Sequence, residues 1–335
     1  MATARRRREL GRGERVLPGV WRLRVPLPWP GVPHGNAWAL AAGDGVVLVD
    51  TGWHGPGSMA HLERAMDMIG LRVEHVRLLV CTHAHSDHYG QAGPIIDRAG
   101  CELWLHPRHE HMICAAQDPA AYLELRIEIA RQSGVPEAAL ERLRETRGAE
   151  GPGIARIVEP DRELLDGVTF DTDLGTWRTL ETPGHAPSHV CFFQPERRLL
   201  ISGDHLLGRV SLYYDYGWTP DPAGEFLSSL DKVEELDARL CMAGHGRTFT
   251  DVRAHIHANR VLVAERLQRA LDALGAGEPL TAYEVIPYVY GEPVTPETGR
   301  WRLNETLCYL QHLEWTDRAR RIPGQPDRWT RPSTL

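Results

Sequence analysis

The sequence has no long apolar run, no paired cysteine motif and no excess of basic residues. Its longest apolar runs, such as residues 46–49, are far shorter than the ~20 residues that cross a bilayer. The net charge of −7 argues against general binding to nucleic acids or to membrane surfaces. The six cysteines show no CxxC spacing, so we expect a reduced, cytoplasmic protein with no membrane partner.

The composition is typical of a globular protein. Of 335 residues, 42% are hydrophobic and 25% are charged, which excludes a disordered chain and is enough for a sizeable core. The arginines at 5–8 are followed by a charged segment and not by an apolar one, so no signal peptide is expected. We expect residues 1–15 to form a flexible N-terminal tail.

Short β-rich runs alternate with helical segments in both halves of the chain. Apolar runs at 46–50, 76–82, 190–193 and 199–201 predict strands. The order of strands followed by helices occurs twice, which predicts an α/β fold with two sheets between helices, an αββα sandwich. Charged amphipathic helices in 119–147 predict a helical insertion and a candidate lid.

Histidine and aspartate side chains cluster directly after the predicted strand at 76–82. His83, His85, Asp87 and His88 fall within six residues. Alternate residues of an extended segment point the same way, so His83 and His85 share a side, while the other two lie where the next helix begins. Imidazole and carboxylate groups suit zinc, and this geometry can offer ligands to two adjacent metals instead of four ligands to one.

Four other predicted strands are each followed by a potential ligand beside a glycine. These residues are Asp50, His185, Asp204 and His245. Glycine lets the backbone turn sharply after a strand. Because sites are commonly built from the loops at one edge of a sandwich, we expect these side chains to contribute to one site.

These motifs occur in a fixed order across about residues 16–260: H-x-H-x-D-H, a single histidine, G-D and G-H-G. The pattern resembles the metallo-β-lactamase superfamily, and the layout is most similar to its lactamase-beta-2-like branch, whose metal site resembles that of glyoxalase II. The resemblance implies a catalytic domain of this fold at 16–276. It also implies a small winged-helix-like domain at 277–335, after a turn-rich break, which packs against the catalytic domain or makes a homodimer contact.

The resemblance implies a complete set of ligands for two zinc ions, with iron or manganese as alternatives. The implied ligands are His83, His85 and His185 for one ion, Asp87, His88 and His245 for the second, and Asp204 as the bridge between them. Asp87 and Asp204 are the residues that we assign to catalysis.

This ligand set predicts a hydrolase. Two divalent ions about 3.5–4 Å apart lower the pKa of the water between them, and the resulting metal-bridging hydroxide attacks an electrophilic carbonyl carbon. We expect a small-molecule ester or a thioester as the substrate, for example an acyl-CoA or a carrier-protein thioester. The alternatives are a metal-dependent single-strand endoribonuclease, which the acidic net charge disfavours, and a lactone or β-lactam hydrolase.

Several residues near the predicted ligands are expected to have supporting roles or leave more than one interpretation open. The resemblance implies that Asp50 orients the metal-site residues or their loop, because a ligating imidazole needs a partner for its other ring nitrogen. His189 either supports the ligands, faces the substrate or has a plain structural role. The aromatic side chains of Tyr213, Tyr214 and Trp218 either line a substrate pocket or pack their loop onto the sandwich.

Three further histidines occur in the segment HPRHEH. His106, His109 and His111 are predicted to lie at the start of a helix that follows a strand. We interpret them as a solvated face and not as a second metal site.

Overall fold

The computed structural model describes residues 10–29, 31–147, 151–209, 211–275, 277–296 and 298–332. The strands in these ranges are β1 Arg12–Leu17, β2 Val20–Pro26, β3 His34–Ala42, β4 Gly45–Val49, β5 Val76–Val80, β6 Glu102–Leu105, β7 Arg162–Glu163, β8 Thr169–Thr172, β9 Gly175–Glu181, β10 Val190–Gln194, β11 Leu199–Gly203, β12 Leu240–Ala243, β13 Arg320–Ile322 and β14 Arg328–Thr330. The α-helices are α1 Ser58–Asp67, α2 Ser86–Tyr89, α3 Ala92–Ala99, α4 Glu110–Gln117, α5 Pro119–Gln132, α6 Glu137–Arg147, α7 Pro222–Glu235, α8 Val252–Leu274, α9 Ala282–Tyr290 and α10 Gly299–Trp315. Of the predicted tail at 1–15, residues 1–9 lie outside the described ranges and residues 12–15 belong to β1.

The strands form two main sheets. In the first sheet the strands follow chain order from β1 to β7, with antiparallel pairs up to β4 and parallel pairs from β4 onwards. The second sheet has the order β12-β11-β10-β9-β8, in which β11 and β12 are parallel and the other pairs are antiparallel. β13 and β14 pair separately as an antiparallel ribbon.

Alternating side chains along the strands divide the core into three clusters. In β10, Val190 and Phe192 point between the two sheets, whereas Cys191 and Phe193 pack against the helices outside the second sheet. The outer face of the first sheet packs in the same way against α1 and α3. The order of layers is therefore helix, sheet, sheet and helix, which confirms the predicted αββα sandwich.

The helical insertion at 119–147 is part of the outer helical layer. It contains α5 and α6, close to the helices that the sequence predicts at 122–132 and 136–147. Ile127, Ala130 and Leu140 lie in the same hydrophobic cluster as the buried faces of α8, α9 and α10. Its action as a lid remains a prediction.

The segment after residue 277 contributes α9, α10 and the β13–β14 ribbon to this layer. Helices followed by a two-stranded ribbon have the order of elements of a winged helix, and we keep that domain assignment as a prediction. Among the described residues, no helix combines the length and the apolar character that a membrane span requires.

The space between the sheets gives a prediction about stability. Trp177 is fully buried there, with its ring 6.2 Å from that of Phe170. We expect Trp177→Ala to lower the free energy of unfolding by about 3–5 kcal/mol, because it removes a large side chain and leaves a cavity. Denaturant unfolding measures this change. The control Trp315→Ala, at a side chain that is 65% exposed, should change it by less than about 0.5 kcal/mol, and equal losses would contradict the described packing.

Candidate metal centre

The ends of five strands meet at one edge of the sandwich. β4 and β5 are parallel, so Asp50 and the segment 82–88 follow their carboxyl ends side by side. β9, β11 and β12 end at a common edge, because β10 runs antiparallel to both β9 and β11 while β12 runs parallel to β11. The backbone N–H of Val190 donates to the carbonyl of Thr82 over 2.7 Å and joins the two sheets at this edge.

The first donor group, meaning a group of side chains whose atoms can bind one metal ion, contains three imidazoles. One ring nitrogen each of His83, His85 and His185 lies within 4.8 Å of the others. His85 Nδ1 and His185 Nε2 are 3.0 Å apart. Burial lowers the pKa of His185 to about 4 and that of His83 well below its usual range, so both rings are neutral at pH 7. The neutral ring is the form that binds a metal ion.

The second group contains Asp87, His88 and His245, whose donor atoms also lie within 4.8 Å of one another. Asp87 Oδ2 is 3.2 Å from His245 Nε2 and 3.5 Å from His88 Nε2. Burial alone would lower the pKa of His245, but the carboxylates of Asp204 and Asp87 outweigh burial and raise it to about 10. The carboxylates therefore stabilise positive charge at this position, which favours a cation.

Asp204 lies between the two groups. Its Oδ1 is 3.4 Å from His88 Nε2, and its Oδ2 is 3.1 Å from His245 Nε2 and 3.8 Å from His185 Nε2. The two oxygens of one carboxylate thus face donors of both groups. This position fits the bridging role that the resemblance implies.

All five imidazoles of the two groups have their outward ring nitrogen engaged by the protein. The partners are Thr82 Oγ1 for His83 (3.0 Å), Asp215 Oδ2 for His85 (2.7 Å), Asp50 Oδ2 for His88 (2.9 Å), the carbonyl of Tyr213 for His185 (3.1 Å) and the carbonyl of His34 for His245 (3.1 Å). Such partners fix the orientation and the tautomer of a metal-ligating imidazole.

Two ring nitrogens and one carboxylate oxygen that point into the site lack such partners. His83 Nε2, His88 Nε2 and Asp204 Oδ1 are buried and make no hydrogen bond with the protein. Buried polar atoms are normally paired, so a cluster of unpaired nitrogen and oxygen donors needs another partner. Nitrogen and carboxylate donors at this spacing fit divalent cations, and zinc in particular accepts both.

Asp50 links the loops of the first sheet. It adopts a left-handed backbone conformation with φ of 63°, which costs energy for a residue with a side chain. Its carboxylate accepts hydrogen bonds from the backbone N–H of Thr82 (2.7 Å), the Thr82 hydroxyl and His88 Nδ1. These contacts fit the orienting role that the sequence predicts for Asp50.

His189 has both ring nitrogens engaged. Its Nε2 accepts a hydrogen bond from the backbone N–H of Asp204 (3.1 Å), so the proton lies on Nδ1, which donates to Thr182 Oγ1 (2.8 Å). The side chain is 1% exposed. Of the open interpretations, these contacts favour support of the loop that carries Asp204 over contact with a substrate.

The aromatic residues of the loop 213–218 face different environments. The ring of Tyr213 lies 5.9 Å from that of His85, beside the first group. The ring of Trp218 lies 6.1 Å from that of His111. Tyr214 is fully buried and packs edge-on against Phe226 in the outer helical layer. A pocket-lining role therefore remains open for Tyr213 and Trp218, whereas Tyr214 has a packing role.

The interpretation of His106, His109 and His111 as a solvated face is wrong, because their exposed fractions are 3%, 8% and 1%. They are buried because they pack against other segments: His106 Nε2 lies 2.8 Å from Glu181 Oε1, and His111 Nε2 lies 2.8 Å from the Ser188 hydroxyl. The ring of His111 lies 5.4 Å from that of the ligand candidate His85. Sequence reasoning does not predict Asp215, a neighbour of His111, as a site residue. The sequence feature that could indicate it is an acidic residue among the aromatic residues of 213–218.

Comparison with known proteins assigns this arrangement to a family. The family model for the metallo-beta-lactamase superfamily matches residues 30–245, more than half of the chain. The chain therefore belongs to the metallo-β-lactamase superfamily and is a metal-dependent hydrolase of a fold that binds divalent ions. This assignment confirms the resemblance and the enzyme class that the sequence predicts.

The relatives match this chain over most of their length. Probable metallo-hydrolase YqjP of Bacillus subtilis is 26% identical over 88% of this chain and 92% of its own. Atrochrysone carboxyl ACP thioesterase of Claviceps purpurea is 23% identical over 87% of this chain and 78% of its own. The crystal structure of a metallo-beta-lactamase family protein from Thermus thermophilus, TTHA1429, has a TM-score of 0.80 at 30% identity, covering 95% of this chain and 100% of that chain.

Gly244 lies close to two of the predicted ligands, and this contact gives a second prediction. A Cβ added at Gly244 would lie 2.2 Å from Asp204 Oδ1 and 2.7 Å from His88 Cε1. Gly244→Ala must displace these side chains, so we expect its affinity for Zn²⁺ to fall at least ~10-fold in a chelator competition assay. Gly151→Ala, at a glycine with no atom within 4 Å of the added Cβ, is the control. Wild-type affinity in Gly244→Ala would contradict the described geometry.

Proposed function

We propose that this chain is a dinuclear zinc hydrolase that cleaves an ester or a thioester, with an acyl-CoA or a carrier-protein thioester as the preferred class of substrate. The observation that carries the proposal is the pair of adjacent donor groups, three imidazoles in one and Asp87, His88 and His245 in the other, with Asp204 between them. A structural zinc site needs only four ligands. Six donor residues around one shared carboxylate are better suited to two ions and to catalysis.

His83, His85 and His185 would hold the first ion, and Asp87, His88 and His245 the second. Bound there, two divalent ions would polarise the carbonyl group of the substrate and lower the pKa of water, so that water attacks at neutral pH. No serine or cysteine nucleophile is needed. The cysteines Cys81, Cys191 and Cys241 are buried, and burial raises the pKa of each thiol, which makes them inert.

Asp87 and Asp204 are the two carboxylates among the proposed ligands. Burial raises the pKa of Asp87, but His88 and His245 outweigh burial and hold the pKa below its usual value. The Asp87 carboxylate is therefore ionised at pH 7. In this state it attracts a cation, and an oxygen that is not used as a ligand can accept a hydrogen bond from the attacking water and orient it.

The preference for a thioester rests on the relatives and on the walls of the site. An ACP thioesterase matches 87% of this chain, so its substrate class can be accommodated by the shared architecture. Tyr213 lies beside the first group and Trp218 lies further along the same loop, next to His111. Half-buried aromatic rings of this kind offer an apolar surface for an acyl chain.

A substrate panel tests the reaction class. The zinc-loaded protein is assayed with acyl-CoA and acyl-carrier-protein thioesters, simple esters, lactones, a β-lactam and labelled single-stranded RNA. We expect thioester hydrolysis, and we expect Asp204→Ala to reduce it at least ~100-fold because both groups lose a shared ligand. Asp221→Asn is the matched control, since Asp221 pairs with His312 and not with the donor groups.

Other outcomes of the panel decide against the proposal. Cleavage of RNA by the wild type that Asp204→Ala abolishes, with every thioester untouched, would favour the endoribonuclease instead. Equal RNA cleavage by both proteins would indicate contamination. Hydrolysis of lactones alone would remove the thioester assignment and leave the hydrolase class intact.

The number of ions is a separate prediction. We expect the purified protein, after dialysis against Zn²⁺, to hold about two equivalents of metal per chain. His185→Ala and His245→Ala should each reduce the content to about one equivalent, because each removes a ligand of one group only. His312→Ala, which removes a largely buried histidine outside the donor groups, should leave the content unchanged. Inductively coupled plasma mass spectrometry measures the content, and one equivalent in the wild type would contradict a dinuclear site.

A further inference from the structure

The side chain of Asp215 contacts the ring nitrogen of His85 that faces away from the first donor group. Its Oδ2 is 2.7 Å from His85 Nε2, and the two side chains are 11% and 13% exposed. With the proton of His85 on Nε2 and directed at Asp215, the lone pair of Nδ1 points toward His185 Nε2, 3.0 Å away. Because Nε2 of His85 is used in the hydrogen bond to Asp215, Nδ1 is the nitrogen that faces the first group and can bind a metal ion.

The distance between His85 Nε2 and Asp215 Oδ2 indicates a hydrogen bond and not a third metal site. His85, His111 and Asp215 form a cluster whose donor atoms lie within 4.8 Å, so they are candidates for a cation of their own. Two ligands of one tetrahedral zinc, each at about 2.0–2.1 Å from the ion, are separated by roughly 3.3 Å. The separation of 2.7 Å between His85 Nε2 and Asp215 Oδ2 is instead typical of a charge-assisted N–H to oxygen bond.

A buried network holds Asp215 in this position. The Ser188 hydroxyl accepts a hydrogen bond from the backbone N–H of Ala84 (3.1 Å) and lies 2.8 Å from His111 Nε2. His111 Nδ1 faces Asp215 Oδ2 at 3.0 Å, although at an angle too bent for a hydrogen bond. Because a carboxylate repels a ring lone pair, we assign the proton of His111 to Nδ1, and the Ser188 hydroxyl then donates to Nε2. These contacts connect the backbone of Ala84, which lies between His83 and His85, to the ring of His85. They run through Ser188, His111 and Asp215 in that order.

The backbone of the same loop supports the neighbouring ligand. The N–H of Asp215 donates to the carbonyl of His185 (3.1 Å), and the carbonyl of Tyr213 accepts from His185 Nδ1 (3.1 Å). The Tyr213 hydroxyl in turn accepts a hydrogen bond from Asn304 Nδ2 of α10 (3.1 Å). The segment 213–215 therefore fixes two of the three imidazoles and is itself anchored to the outer helical layer.

We propose that Asp215, supported by His111, is a positioning residue that sets the tautomer and ring orientation of His85 for the first metal ion. The inference rests on the proposed metal-dependent function. It assigns a role to an acidic residue that lies outside the ligand motifs and to a histidine that the sequence places on the surface.

The test uses the full chain, freed of metal by a chelator and titrated with Co²⁺, as wild type and as Asp215→Ala, Asp215→Asn and Asp221→Asn. Asp221 is a matched control because it pairs with His312 Nδ1 at 3.0 Å and both side chains are 14% exposed, close to the burial of the Asp215–His85 pair. We expect Asp215→Ala to weaken the binding of one of the two ions about 10–100-fold. The loss should be smaller for Asp215→Asn, whose amide oxygen still accepts a hydrogen bond, and absent for Asp221→Asn.

A spectroscopic readout separates positioning from a general loss of stability. In the Co²⁺ protein, each ligating histidine gives an exchangeable N–H signal that the ion shifts far from the normal NMR range. We expect the signal of His85 Nε2 to move or disappear in the Asp215 variants, while the signals of the histidines at the second ion persist. Circular dichroism and the melting temperature of each variant are measured alongside.

Several results would overturn the inference. Unchanged affinity and unchanged signals in Asp215→Ala would show that His85 needs no such partner. Loss of both ions together with a lower melting temperature would assign Asp215 to the fold. A third equivalent of Co²⁺ in the wild type that Asp215→Ala removes would make Asp215 a ligand. Failure of the wild type to bind any divalent ion would also refute the proposed function, whereas two bound ions with no effect of Asp215 would refute the positioning role alone.

Discussion

The constraint on which this structure depends is the pairing of five closely packed imidazoles at one edge of two sheets. A buried ring nitrogen without a partner is costly, so each outward nitrogen of the two donor groups meets an oxygen of the protein. This requirement accounts for the left-handed backbone of Asp50, which brings one carboxylate to both Thr82 and His88. It also accounts for the inward direction of the remaining nitrogens, which a divalent ion can satisfy.

The layered fold makes this arrangement rigid. The cluster between the sheets fixes the distance between the strands that end at the site, and a backbone hydrogen bond from Val190 to Thr82 ties the two sheets together there. Donors that are held before an ion arrives need little rearrangement on binding, and the same rigidity keeps a bound substrate aligned with the ions. A metal-dependent hydrolase can therefore use short loops at strand ends and needs no nucleophilic side chain.

The sequence is sufficient to predict the parts of the fold and of the site that depend on local pattern. Period-two alternation and short apolar runs predict the strands, and the order of ligand motifs predicts the superfamily and the donors that the structure brings together. The burial of His111 and the contact between His85 and Asp215 escape this reasoning, because the two partners are 130 residues apart and no periodicity relates them. For the same reason, an aromatic run does not reveal that Tyr213 faces the site while Tyr214 faces the outer helices.

The hydrogen bond between Asn304 and Tyr213 has a consequence for how such enzymes diverge. Arg126 of α5 donates to the amide oxygen of Asn304, so two helices far apart in the chain hold the loop that orients two ligands. Changes in these helices can reach the reactive edge without altering any ligand motif. Specificity can therefore evolve from the periphery inwards, and a comparison of relatives that is restricted to the histidine motifs would overlook it.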